Sequence, residues 1–90
     1  MPCFLVETYL TACGTRSLAA CEKRARTAAA ELTRERTRVR FVRSIYIPQD
    51  EICFFVFSAA SRQDVARAAE LAALDPIRVV EAISSGQEDQ

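Results

Sequence analysis

The longest apolar run of the chain, Ile52–Ala60, most constrains what the chain can fold into. A strand formed there would be hydrophobic on both faces, so it has to lie inside a sheet that is covered on both sides. A helix that crosses a membrane needs roughly 20 apolar residues, which is far more than this run supplies. The run therefore predicts a central strand of a soluble domain.

Three other segments have the β-branched and aromatic composition of strands: Cys3–Leu10, Arg38–Ile47 and Ile77–Ile83. The link at 48–51, Pro-Gln-Asp-Glu, has turn chemistry and joins the second of these segments to the strand Ile52–Ser58. Because the link is short, these two strands are predicted to be antiparallel.

Two predicted helices, each with an alanine-rich stripe at helical spacing, lie between the predicted strands. The first follows Ser17, whose hydroxyl can accept from the free amides of the first turn, and it frays near Arg36. The second follows Ser61, which opens a capping box, and it stops at Asp75-Pro76. The predicted apolar positions are Leu18, Cys21, Ala25, Ala28, Ala29 and Leu32 in the first helix and Val65, Ala68, Ala69 and Ala72 in the second.

This β-α-β-β-α-β order predicts a ferredoxin-like α+β fold. Right-handed crossovers then give a four-stranded antiparallel sheet of order 4-1-3-2 with both helices on one face. The chain has 90 residues, enough for one such domain. We place the domain at residues 1–84 and a polar tail at 85–90.

Alternation along the strands assigns side chains to the two faces of the sheet. Phe4, Val6 and Val80 are on the side predicted to receive the alanine-rich helices. The opposite, helix-free face is predicted to contain Cys3, Leu5, Glu7, Tyr9, Val39, Phe41, Arg43, Ile45, Ile47, Ile77, Val79, Glu81 and Ile83, with either Phe54 or Phe55.

Such a face is too apolar to be left in water. Either a second sheet covers it, in a face-to-face homodimer with a closed interior, or a small apolar ligand does. Charges in an apolar surface are retained as ion pairs, such as an Arg43–Glu pair at a dimer rim, or for binding and chemistry. Glu7 and Glu81, on neighbouring strands, are candidate general bases. The candidate ligand-binding residues are Tyr9, Arg43, Phe41 and Phe55.

The sequence has no histidine, and its four cysteines have no CxxC spacing. We therefore predict no metal site and no cofactor. The thiols are expected to be buried or half-buried, except for Cys13, which lies beside Gly14 in a predicted loop and is expected to be the most reactive. Residues 1–4 lack the basic region of a signal peptide, which predicts a cytoplasmic location without a membrane partner.

The net charge is zero, but the charges are unevenly distributed. Residues 22–43 contain eight basic and three acidic side chains, and residues 44–90 contain three basic and eight acidic ones. This indicates a solvated basic flank with an acidic counterpart. Nucleic-acid binding is disfavoured, because the domain as a whole is not basic and no basic-glycine pair precedes the third strand.

Four short segments together resemble a known family: Pro2-x-Phe4-Leu5-Val6-Glu7, Pro48-x-Asp50-Glu51-x-Cys53-Phe54, Ala59-Ala60-Ser61-x-x-x-Val65 and Ile77-x-x-Val80-Glu81-Ala82. They resemble small actinobacterial proteins, mostly described as domains of unknown function, that include a nickel-binding, nickel-responsive member. The resemblance covers about residues 2–83. It implies a ferredoxin-like dimeric α+β barrel, an architecture that also includes muconolactone-isomerase-like and small monooxygenase-like enzymes. Of the candidate site residues, Glu7 and Glu81 fall on the matching motifs.

Three functions follow as expectations. The first is a homodimer that binds a small, largely apolar ligand on the helix-free face. The second is a cofactor-independent isomerase, cyclase or monooxygenase in which Glu7 or Glu81 is the base and Arg43 or Tyr9 stabilises an enolate or phenolate. The third is nickel binding as in the resembled family, which the lack of imidazole disfavours.

Overall fold

The computed structural model describes residues 1–13 and 17–83, without the side chains at 12 and 13. Its elements are β1 (Cys3–Tyr9), a 3₁₀ turn (Leu10–Cys13), α1 (Leu18–Arg34), β2 (Val39–Ile47), β3 (Ile52–Ala59), α2 (Arg62–Leu71) and β4 (Arg78–Ala82). The strands form one antiparallel sheet of order β2-β3-β1-β4. The predicted ferredoxin-like fold and strand order are confirmed, and the tail predicted at 85–90 lies outside the described residues.

Both helices begin at the predicted serines. The Ser17 hydroxyl accepts from the Ala20 amide at 3.2 Å, and the Ser61 hydroxyl accepts from the Asp64 amide at the same distance. Each bond satisfies one of the amides that a helix leaves free at its first turn. All the predicted stripe positions are buried except Leu18, which is half-buried against the core.

The link between α2 and β4 explains why α2 ends before the predicted stop at Asp75-Pro76. Ala73 and Asp75 both have left-handed backbone conformations, with φ of 56° and 51°. Between them Leu74 turns inward and is fully buried. The link is held from two sides, because Arg24 Nη2 donates to the Ala73 carbonyl at 3.2 Å and the buried Thr8 hydroxyl donates to the Leu74 carbonyl at 2.7 Å. These bonds fix the position from which the chain enters β4.

The structure corrects the face predicted for the start of β2. Phe41 was placed on the helix-free face, but it is only 7% exposed, and its ring lies 5.5 Å from that of Phe57 in the core. The sheet register shifts between Phe41 and Arg43, at a β-bulge. A bulge inserts one extra residue, so the alternation of side chains reverses across it. Val39 and Phe41 therefore face the helices, whereas the prediction for Arg43, Ile45 and Ile47 is confirmed.

Phe55 is not the ligand-binding residue of the helix-free face that was predicted, and the face predicted for β4 is wrong. Phe55 is the Cα partner of Val6 and is fully buried under the helices, so Phe54 is the phenylalanine of the helix-free face. On β4, Glu81 is the partner of Phe4, and Val79 is the partner of Val6. Both therefore lie on the helical side. Because the two alternating sets of β4 are both partly apolar, hydrophobicity alone did not specify a register, and an error of one residue exchanges the faces.

Candidate functional site on the helix-free face

The register of the sheet defines the helix-free face as four rows of neighbouring side chains. Partners across antiparallel strands share a face. The rows are Arg40, Ser58, Cys3 and Ala82; then Arg43, Val56, Leu5 and Val80; then Ile45, Phe54, Glu7 and Arg78; then Ile47, Ile52 and Tyr9. Eight of these fifteen residues are aliphatic or phenylalanine, and they are contiguous across all four strands.

This apolar surface is accessible to solvent in the single chain. Ile45 and Tyr9 are 46% and 48% exposed, and Leu5, Phe54 and Val56 are half-buried. Both helices pack on the other side of the sheet, against the core. The face therefore keeps a broad apolar area in contact with water.

The face carries an ion pair between two neighbouring strands, β1 and β4. Arg78 Nε lies 2.6 Å from Glu7 Oε1, and the two residues are Cα partners. The Glu7 side chain is 16% exposed and that of Arg78 is 63% exposed. Because Arg78 is largely solvated, we expect this pair to contribute less than about 1 kcal/mol to the stability of the single chain.

The predicted pairing of two carboxylates is wrong. Glu7 lies on the helix-free face beside Arg78, whereas Glu81 lies on the helical side and is exposed. The two side chains leave opposite faces of the sheet, so they cannot share a proton. Of the two candidate bases, Glu7 alone belongs to this face, and its carboxylate is bound by a guanidinium.

Arg43 and Tyr9 lie where they were predicted, at different margins of the face. Arg43 is exposed on the edge strand β2, and β3 separates it from Glu7. Within residues 1–13 and 17–83, no carboxylate lies within ion-pair distance of Arg43. Tyr9 is in the last row, beside Ile52. The polar groups thus border an apolar centre.

The face is open rather than a closed pocket. Of four surface cavities, of about 580, 300, 310 and 310 Å³, three have no lining residue on the helix-free face, and the fourth includes only Arg40 from that face. The predicted pocket would therefore require a second layer over the sheet. In the part of the chain that the structure describes, no three His, Cys, Asp or Glu side chains come together as a metal site would require.

Sequence reasoning missed seven residues of this face: Arg40, Ile52, Val56, Ser58, Arg78, Val80 and Ala82. Alternation along β1 did place Leu5 and Glu7 correctly, and the register supplies their partners. The sequence did contain an indication of Arg78, because Glu7 on an apolar face of β1 requires a basic partner on a neighbouring strand. Without a register, that signal could not be separated from the competing Arg43 pair.

Two of the thiols lie in the core, which leads to a prediction. Cys21 and Cys53 are fully buried, and burial raises the pKa of Cys53 above its ordinary value of 9.0, with a further contribution from the nearby Cys21. We expect neither to react with Ellman's reagent at pH 8 until urea unfolds the chain, since the reactive form is the thiolate. The pKa of Cys53 is higher in the folded state than the ordinary value of 9.0 that applies to the unfolded chain. The contribution of the Cys53 thiol to stability is therefore complete below pH 9 and is lost as the pH rises above it.

The control for this measurement is a Cys21→Ala, Cys53→Ala variant, which should show the same number of fast-reacting thiols as the native protein. Rapid reaction of more than two thiols in the folded native protein would contradict the burial. The prediction that Cys13 is the most reactive concerns a side chain outside the described residues.

Comparison of the chain with protein-family models, with curated proteins and with solved structures gave no match. Among residues 1–13 and 17–83, no helix has the length and apolar character needed to cross a membrane.

Proposed function

We propose that the protein is a homodimer that binds a small, largely apolar ligand between its two helix-free faces. The observation that carries the proposal is the contiguous apolar surface across all four strands, which the two helices leave uncovered. Burying such a surface is the main favourable term in protein association.

The dimensions of the face support a second copy as the layer that covers it. The molecule is plate-like, with extents of 32 × 32 × 19 Å. Four strands about 4.8 Å apart and about seven residues long give a projected area of roughly 450 Å². The side chains make the accessible area larger, so it approaches the roughly 800 Å² per partner of a stable interface.

The charges of the face are also compatible with pairing against the same face of a second chain. In a two-fold dimer the same patch meets itself, so every group on one subunit faces a symmetric set of groups on the other. A two-fold axis near the row of Glu7 and Arg78 would bring this pair of one subunit towards the same pair of its partner. Carboxylate and guanidinium would then alternate, which avoids an unpaired charge in the interface.

The arrangement favours ligand binding over base catalysis. Small-ligand sites are mostly apolar, with a few polar groups that fix the orientation, and Arg43 and Tyr9 are so placed at the margins of this face. A general base needs a free carboxylate near its substrate. The Glu7 carboxylate is engaged by Arg78, and Glu81 is on the other side.

Native mass spectrometry of freshly purified protein tests this proposal. We expect a dimer peak and a second peak shifted by the mass of a small molecule, and we expect Arg43→Gln to reduce the second peak while the dimer remains. The control is Arg62→Gln, which changes an exposed arginine on α2. A dimer without added mass in every preparation would contradict ligand binding but not dimerisation. A monomer would contradict both claims.

A further inference from the structure

The β-bulge of β2 brings two arginines to the same face of the sheet. In a regular strand, residues an odd number of positions apart leave opposite faces, so Arg40 and Arg43 would be separated. The register shift after Phe41 adds one residue, and the two arginines are therefore the partners of Ser58 and Val56, which share a face of β3. Both arginines are exposed on the helix-free face, in adjacent rows. Bulges often re-aim a side chain in this way beside a functional site.

These two arginines have no acidic partner in the described part of the chain. Within residues 1–13 and 17–83, neither Arg40 nor Arg43 lies within ion-pair distance of a carboxylate. The one acid in the four rows is Glu7, which is bound by Arg78 of β4, at the opposite edge of the sheet. The rows therefore contain three arginines and one glutamate, a surplus of two positive charges.

This surplus is unfavourable in the proposed dimer. A second copy presents the same two arginines, so the surplus of positive charge doubles when the faces meet. Removing an unpaired charge from water is costly, and hydrogen bonds to an opposite charge lower that cost. A negatively charged ligand supplies such an opposite charge, and an uncharged one does not.

We infer that the ligand of the helix-free face is an amphipathic carboxylate, an apolar molecule that ends in one carboxylate group. This inference rests on the proposed function, because it gives the chemical class of the ligand proposed there. Arg40 and Arg43 bind the carboxylate at the β2 edge, and rows about 7 Å apart allow both side chains to reach one group. The apolar body lies over the half-buried side chains of Leu5, Phe54 and Val56. The remaining positive charge stays hydrated, since β2 is an edge strand.

A carboxylate fits these arginines better than a phosphate group does. Phosphate groups are commonly bound at helix N-termini and in concave loops, where free backbone amides supply further donors. Here both helices pack on the other side of the sheet, and the neighbouring strand β3 is paired along both of its edges. The site therefore offers guanidinium groups, whose fork matches the two oxygens of a planar carboxylate.

Isothermal titration calorimetry of the full chain with octanoate and with 1-octanol tests the inference, because the probes have similar apolar bodies and differ in charge. Octanoate should bind the native protein at least about tenfold more tightly than octanol, through charge-assisted hydrogen bonds. An Arg40→Gln, Arg43→Gln variant should lose this preference and keep its affinity for octanol. The matched control, Arg62→Gln with Arg67→Gln at exposed positions of α2, should bind both probes as the native protein does.

Equal affinities of the native protein for the two probes would overturn the inference and leave the proposed apolar ligand in place. The same holds if the double variant at Arg40 and Arg43 keeps the preference for octanoate. Tighter binding of octyl phosphate than of octanoate would overturn the carboxylate in favour of a phosphate. Sedimentation of the same samples separates the two proposals, because a monomer that prefers octanoate through both arginines would contradict the dimer and support the carboxylate site.

Discussion

Replacement of Phe55 with alanine should lower the free energy of unfolding by about 3–5 kcal/mol, the range found for large-to-small changes at buried phenylalanines. Phe55 is fully buried, and its ring lies 6.2 Å from that of Phe41. The loss is a large fraction of the roughly 5–15 kcal/mol that stabilises a small domain. Urea unfolding followed by circular dichroism measures it directly.

The neighbouring Phe54 supplies a matched control, because it leaves the opposite face of the same strand and is half-buried. In dilute solution, where dimerisation adds no stability, Phe54→Ala should cost about 1 kcal/mol or less, as expected for partial loss of apolar contact. Equal losses for the two variants, or a larger loss for Phe54, would contradict the assignment of faces on β3.

A charge at Phe54 should act mainly on the association of two chains rather than on the stability of one. Phe54→Asp places a carboxylate between Ile45 and Glu7 on the helix-free face, where a covering sheet would desolvate it. We expect the dimer to weaken by at least about a hundredfold, as for residues at the centre of interfaces. Sedimentation equilibrium at several concentrations measures the dissociation constant.

Leu71→Asp is the control for this effect, because Leu71 is an apolar residue that is 57% exposed on α2, on the helical side. It should leave the dissociation constant unchanged. If both aspartates weakened association equally, the interface would not be the helix-free face; if neither did, the apolar rows would have no part in it.

Much of the fold could be predicted because several local sequence patterns were compatible with only one strand face or one helix start. On β1, Phe4 and Val6 alternate with Glu7 and Tyr9, so the face of that strand was unambiguous, and the structure confirms it. Ser17 and Ser61 precede clear helical stripes, and both of them cap helices. Where a pattern was consistent with only one register, the sequence was sufficient.

The errors arose where two registers were equally apolar or where the strand was irregular. Val79 and Val80 are adjacent valines, and their hydrophobicity was equally compatible with either face. The bulge at residues 41–43 has no glycine or proline to mark it, so a regular strand was assumed and Phe41 was placed on the wrong side. Both errors were reversals of face within correctly predicted strands.

The candidate site inherited these errors because it was defined by the faces. Once Glu81 is on the helical side, the pair of carboxylates is lost, and the charge of the face becomes an acid paired with Arg78. Arg43 and Tyr9 kept their places because the prediction for their parts of β2 and β1 was right. The revised face therefore removes the carboxylate pair on which the proposal of base catalysis depended.

The most direct test of the central claim is the mass of the native protein in solution. One chain has a mass of 10.0 kDa. If the helix-free face pairs with its copy, sedimentation equilibrium at micromolar concentration should give about twice that mass, falling towards the single-chain value on dilution. A mass of 10.0 kDa at every concentration, with no bound ligand, would contradict the account.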